Sequence, residues 1–395
     1  MTIKNELKGF IIASLIIALS ACSDSNEGSS GNMIEKSYTV NRCKVLEITP
    51  RIQGMENASY EWSVQSETGN SSLVSKDKTL PFIAVELGNY TVTLKVTDGS
   101  SVLSESTRVT VTKESKSYSI YLSQVLDYMP APGQFVNELP LYETGDTKEK
   151  MIRKAEESIK SNKGMITLGG FGGYVVFGFD HTVVNVPGKR DFRVNGNTFT
   201  ESSEPGVIMV AYDKNKNGKP DENEWYEIAG SEYEKSTKGY QITYSKPDPD
   251  KEPVKGNLPW KIDIEYLYWK DNRGGSGYKT KNIYHSQSYY PEWITDKELT
   301  FTGTLLPPTA TNEGTEEKEK WVFKTFDWGY ADNQPNNHED SGIDIAWAVD
   351  ANGTSVSLPG IDFVKVYSGL NQEAGWAGES STEVTGAMDL HLKQD

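Results

Sequence analysis

Apolar and polar residues alternate from about Ser37 to Thr112, and glycine, serine, asparagine and aspartate separate the short runs. That period of two predicts the strands of a small sandwich. Its clearest stretch is Gly88–Asp98 (GNYTVTLKVTD), where Tyr90, Val92, Leu94 and Val96 share one face and the threonines take the other. Tyr60 and Trp62 upstream supply the large aromatic rings that such a core needs. The period changes once, at 147–160, where Met151, Ile152, Ala155 and Ile159 form one apolar stripe of a helix. Asp146 and Glu149 stand at capping-box spacing before it. From residue 164 to the end the chain returns to short strands, at 175–185 (VVFGFDHTVVN), 191–197 (DFRVNGN), 206–212 (GVIMVAY), 224–228 (EWYEI) and 361–367 (IDFVKVY). The chain is therefore expected to be all-β with one short helix.

The beginning of the chain follows a different logic. Lys4 and Lys8 precede an apolar run from Phe10 to Leu19, and Ser20, Ala21 and Cys22 follow. Charge, apolar run and small residues in that order make an export signal over 1–21. The run is about 15 Å long as a helix, roughly half of what a bilayer core requires, so it is a poor permanent span. Its LSAC end resembles the bacterial lipobox, which implies cleavage before Cys22 and acylation of its thiol, with the membrane as a partner through that anchor. Several acyl chains hold a protein far more firmly than one. Residues 22–36 are rich in serine and glycine and read as a flexible tether. Asp24 and Glu27 just after the cysteine resemble the surface-export signals of Bacteroides-type lipoproteins, which implies an outer-membrane location facing the cell exterior; a periplasm-facing protein stays open.

Residues 37–113, with YEW and GNYTVTLKVTD, resemble a PKD domain, an immunoglobulin-like sandwich that serves as a spacer or adhesive unit. Residues 114–163 form a connection that includes the helix. Beyond it, the GFD, DFRV and GN elements of 164–395 resemble the galactose-binding-like jelly rolls of secreted bacterial proteins, which implies a second, larger sandwich. Near the end, the segment 375–384 (GWAGESSTEV) resembles one in uncharacterised PKD-bearing surface proteins of Bacteroides type. Those resemblances carry no catalytic residue.

The sharpest motif is 213–224, DKNKNGKPDENE. Side-chain oxygens fall at its positions one, three, five, nine and twelve, on Asp213, Asn215, Asn217, Asp221 and Glu224. Gly218 stands at the bend and Lys219 offers its carbonyl, the spacing of a calcium loop. Its flanks read as strands, so the EF-hand helix pair is not expected, and calcium enters as a structural ion that braces the second sandwich. An Asn-Gly turn between two strands would favour the same residues.

Other chemistry is constrained by what is missing. A formal charge of −16 argues against a nucleic-acid partner, which needs a basic footprint. Acylation of Cys22 would leave Cys43 alone, so no disulfide can form within the mature chain. The glycines of 169–173 (GGFGG) lack the lysine and hydroxyl residue of a P-loop. His181, His285, His338 and His391 lie at no metal-ligand spacing, and no GxSxG elbow occurs. Two facing carboxylates would suffice for glycoside hydrolysis, and 56 acidic residues leave that open.

Two aromatic-rich stretches remain as binding candidates. Residues 327–350 place Trp328, Tyr330 and Trp347 among Asp332, Asn333 and Asn336, a mixture that suits a pyranose face and its hydroxyls. Residues 260–293 crowd Trp269, Tyr278, Tyr289 and other rings beside the glycine-rich turn 273–278, so some must be exposed. These features predict a non-catalytic surface protein that captures an extracellular nutrient, foremost a glycan, with an outer-membrane transporter as a possible partner. A cobalamin-type cofactor as ligand, a glycan-degrading hydrolase and a protein adhesin are the alternatives.

Overall fold

The computed structural model describes residues 32–55, 57–160, 162–315 and 317–393. The expected signal segment, the acylated Cys22 and most of the tether lie outside these residues. Strands dominate what is described, with the single helix Lys148–Ile159 and a few one-turn 3-10 segments. The architecture is the all-β sandwich that the residue pattern predicts. Among the described residues no helix is long and apolar enough to cross a membrane.

Near the start, five strands join in the order Ser37–Asn41, Ser101–Thr112, Gly88–Asp98, Ser59–Ser66 and Ser72–Ser75. Only the first pairing is parallel. A short antiparallel pair, Leu46–Ile48 with Leu80–Phe82, closes over one face. Val92, Leu94 and Val96 are wholly buried, so one-sided burial explains their alternation with threonine. Trp62 is fully enclosed and its indole N–H donates to the Asp77 carbonyl at 2.9 Å. Tyr60 and Tyr90 lie half-buried at the edge of this core, and the Tyr90 hydroxyl donates to the Glu86 carbonyl at 2.9 Å.

The helix packs Met151, Ala155 and Ile159 into the main core, with Ile152 half-buried beside them. Its cap is not the one the spacing predicts. Thr147 accepts from the Lys150 N–H at 3.3 Å, while Asp146 takes the Lys154 ammonium at 2.6 Å. The hydroxyl one residue later is better placed for the first turn, and an acid with a lysine in reach is drawn to it instead.

The larger body is built on a six-stranded antiparallel sheet. Its order is Ala348–Val349, Trp225–Ile228, Gly206–Ala211, Gly360–Ser368, Tyr174–Val184 and Gln124–Met129. Its central strands are buried on both faces, which is why GVIMVA shows no alternation. Residues 237–305 leave this sheet and return, forming a four-stranded sheet of their own in the order Ser276–Asn282, Lys261–Asp271, Thr237–Ser245 and Glu298–Leu305. The aromatic-rich middle is therefore an insertion between two strands that pair with each other, Trp225–Ile228 and Ala348–Val349. Phe171, Tyr244, Tyr289, Tyr290 and Phe301 form the core that joins it to the main body.

The glycine cluster 169–173 works in packing. Gly169 has φ +67°, and a Cβ there would stand 1.9 Å from the Ala131 carbonyl oxygen. Only glycine permits both that backbone and that approach.

Candidate functional site

The aromatic residues expected to bind ligand are divided between separate places. Trp269 and Tyr278 lie on neighbouring strands of the inserted sheet, and Trp269 is half-buried against its core. Tyr278 is exposed and meets the exposed Tyr268 edge to face, their centroids 5.4 Å apart. Tyr289, by contrast, is 1% exposed and packs on Tyr266, so it is core and not a ligand surface. Tyr330 is 3% exposed and accepts the Glu232 N–H at 3.0 Å, which corrects its expected role in the same way. Trp328 lies against Trp347 at 4.3 Å, and the Arg190 guanidinium covers the Trp347 ring at 4.2 Å.

The amides and acids of this loop spend their hydrogen bonds on the backbone. Asn333 is buried and both donates to and accepts from Phe326 at 2.8 Å, closing the loop on itself. Asn336 pairs both ways with Gly196, at 3.0 and 2.9 Å. Asp332 accepts from the backbone of Asn197, Thr198 and Glu383, each at 3.0 Å. Buried polar groups need such partners, and once they have them little capacity is left for a ligand. Asn333 and Asn336 are thus corrected from binding residues to loop-shaping ones, while Asp332 holds together the segments that carry the cleft described below.

The loop 213–224 joins two paired strands, Gly206–Ala211 and Trp225–Ile228, with a 3-10 turn at Glu222–Glu224 and no helix pair. Gly218 has φ +76°. The side chains form one hydrogen-bonded network with the loop backbone. Asp213 and Asn215 both accept from the Asn217 N–H at 3.0 Å, and Asn217 accepts from the Lys219 N–H at 2.8 Å. The amides of Asn215 and Asn217 both donate to one oxygen of Asp221, at 2.5 and 2.9 Å. Glu224 reaches back to the Lys214 and Asp221 N–H groups, each at 3.0 Å. The loop's oxygens are thus engaged by its own N–H and amide groups, donors that a calcium ion would have to replace.

A cleft of about 450 Å³ opens elsewhere, at the end of the main sheet. Four segments line it: 134–135, 197–204, 320–323 and 376–383. Its rim is aromatic. Phe199 and Trp376 are 67% and 51% exposed, and Phe135, Trp321 and Phe323 stand half-buried beside them. Glu319 orients the two tryptophan segments together, accepting from the Trp321 indole N–H at 3.2 Å and the Trp376 backbone N–H at 3.0 Å. Gly375, at φ +54°, lets them approach: a Cβ there would lie 2.3 Å from the Trp321 indole nitrogen.

Acids form the floor. Glu379 and Glu383 are buried, and Glu204 stands beside them. Oxygens of Glu204, Asp332 and Glu383 lie within 4.8 Å of one another, a grouping of the kind that can hold a cation. Glu379 accepts the Gln134 N–H at 2.5 Å, and the Gln134 amide returns to the Ala377 carbonyl at 2.6 Å. Thr167 donates to Glu383 at 3.1 Å, and the Ser381 hydroxyl donates to the same oxygen. Burial raises the Glu379 carboxyl to about 8, only partly countered by Lys279. Burial and then the Asp332 charge raise Glu383 to about 8 as well. Glu204 is raised by burial and by three acidic neighbours, Glu383, Asp332 and Glu379.

The cleft residues were not singled out by sequence reasoning, although part of the signal was present. Trp376, Glu379 and Glu383 all belong to GWAGESSTEV, yet Glu204 and Trp321 reach them only through the fold. A broader hollow of about 550 Å³ lies on the N-terminal sheet around Glu67, Asn89 and Arg108. Those side chains pair with each other, Asn89 bridging Glu67 at 2.7 Å and Arg108 at 3.1 Å, which leaves them little to offer a ligand.

The protein is thus an all-β sandwich protein with an aromatic-rimmed, acid-floored cleft. No protein-family model matches the sequence, and no curated protein matches it. Among solved structures it is similar to a SusE-like protein, with 10% identity over 90% of this chain and 95% of that one, at a TM-score of 0.29. It is also similar to a quinoprotein alcohol dehydrogenase-like protein from Bacteroides thetaiotaomicron, at 18% identity over 27% of this chain and a TM-score of 0.18. An endo-β-1,4-mannanase from Thermotoga petrophila shares 13% identity over 22% of this chain, with a TM-score of 0.16. The chain spans about a fifth of the length of these last two proteins. Every one of these TM-scores is below 0.5, so the site is read from its own residues.

Proposed function

We propose that the protein is a lipid-anchored capture protein of the outer cell surface that binds an extracellular saccharide in the aromatic cleft without transforming it. The observation that carries this reading is the pairing of the exposed Trp376 and half-buried Trp321 with carboxylates one layer deeper. Indole faces stack on the CH groups of a pyranose ring, while carboxylate oxygens accept its hydroxyl protons. The LSAC sequence and the polar tether supply the anchor, the N-terminal sandwich acts as a PKD-type spacer, and calcium in the 213–224 loop braces the hairpin next to the main sheet.

One observation favours a second reading. Glu379 and Glu383, raised to about 8 within a cleft, hold protons at neutral pH, as a general acid for glycoside cleavage must. Affinity electrophoresis of the full chain through polysaccharide gels separates the two. Retention that is lost in Trp376→Ala and Trp321→Ala, with no new reducing ends, supports capture; reducing ends that vanish in Glu379→Gln favour the hydrolase. Migration unchanged by every polysaccharide would overturn the saccharide reading.

A further inference from the structure

We propose that the ligand of the cleft is cationic, an amino sugar or its oligomer carrying a free primary ammonium, held by Glu379 and Glu204 beneath the tryptophan rim. This rests on the capture reading above and adds the charge of the ligand to it.

The first observation is an acidic floor with little counter-charge. Glu204 is surrounded by Glu383, Asp332 and Glu379. Lys279 is the cation acting on Glu379, and it is already shared with Glu373 and donates to the Asn371 side-chain Oδ1 at 3.1 Å. Lys320, on the rim, is turned to Glu313 at 2.6 Å. A neutral saccharide would leave these acids in the protonated state that burial favours, whereas a bound cation is the partner that ionises them and is held by the charge so formed.

The second observation is independent of the charge count and concerns unused acceptors. Glu379 is 4% exposed and lines the cleft. Its Oε1 takes the Gln134 N–H, whereas its Oε2 accepts from no other described residue. Glu204 likewise accepts the Ser381 N–H at 3.2 Å with Oε1 and presents Oε2 without a donor from another described residue. Neither oxygen is sealed from solvent, so both are open on the cleft side, where donors from a ligand can reach them. An ammonium offers three donors and a full charge at once.

The third observation is the rim. Trp376 and Trp321 offer indole faces, which attract a cation as well as a sugar ring. Asp332 and Glu383 are occupied by donors of their own and stand behind the two contacting acids.

Calorimetry of the full chain with a glucosamine tetramer, its N-acetylated counterpart and a neutral glucose tetramer tests the proposal. The expected result is binding of the glucosamine tetramer at least tenfold tighter than either neutral oligomer, with a loss of tenfold or more in Glu379→Gln. A melting curve confirms that this variant is folded. Equal or better binding of a neutral tetramer overturns the charge assignment and leaves the capture reading standing. Failure of every saccharide to bind removes both. Calcium chloride or manganese chloride raising the melting midpoint more in the wild type than in Glu383→Gln would show that the acids hold a metal, and the ammonium proposal would fall.

Discussion

Asp389 and Glu383 stand a few residues apart near the end of the chain, both enclosed, in opposite electrostatic settings. Asp389 faces the imidazole of His181 at 2.8 Å, whose other nitrogen lies 2.9 Å from Asp180. Tyr118 stacks on that ring at 4.9 Å. Burial works to lower the His181 pKa, and the hydrogen bonds to the two acids outweigh it, so the imidazole titrates above 6.5. Glu383 has only neutral donors, and its neighbours in charge are acids. The first arrangement fastens the last strand, Gly386–Asp389, to Tyr174–Val184. The second costs stability that the surrounding fold must supply, the usual condition of a group kept for binding or chemistry.

The sharpest way to break this contrast is to remove the paired cation. His181→Ala leaves Asp389 buried without its partner and should cost about 3–5 kcal/mol by urea denaturation. A His whose folded pKa is raised contributes stability fully below its unfolded value near 6.5, and loses it as the pH rises through the folded value. The gap between variant and wild type should therefore narrow in alkaline buffer, and a loss under 1 kcal/mol at acid pH would show that the bridge fastens nothing.

The exposed loop 213–224 is a third kind of acid group, its carboxylates engaged by the loop's own donors, and its proposed calcium role can be tested directly. Calcium at a hundred times its Kd should add about 2.7 kcal/mol, read as a rise in melting midpoint that chelator reverses. No shift with millimolar calcium would leave the loop as a hydrogen-bonded turn.

A smaller effect is expected at the cleft. A carboxyl whose folded pKa lies above its unfolded one binds extra protons in the native state, so its contribution falls as the pH rises from 4.5 through about 8. Glu379→Gln removes that burden and should stabilise the protein by about 1–2 kcal/mol at pH near 8 and not below pH near 4. Destabilisation at both would mean that Glu379 is a structural acceptor and no more.

How much of this was legible depends on distance along the chain. The strand Gly88–Asp98 could be read because it buries one face, and its period of two survives in the residue order. The turn at 213–224 between two strands could be read because its glycine and Asx residues lie close together in the chain. Tyr289 and Tyr330 misled because aromatic crowding says that some rings are exposed without saying which, and the inserted sheet closes over Tyr289. Thr147 displaced Asp146 as helix cap because a lysine two turns away competed for the acid.

The order of residues alone determined the strand-rich composition, the single helical stripe, the likeness of LSAC to a lipobox and the spacing of the 213–224 oxygens. These depend on neighbours close in the chain. Tertiary structure decided that Glu204, Asp332 and Glu383 share one site and that Trp321 faces the segment of Trp376. Burial and the meeting of like charges arise only when remote segments pack together, so no local pattern records them.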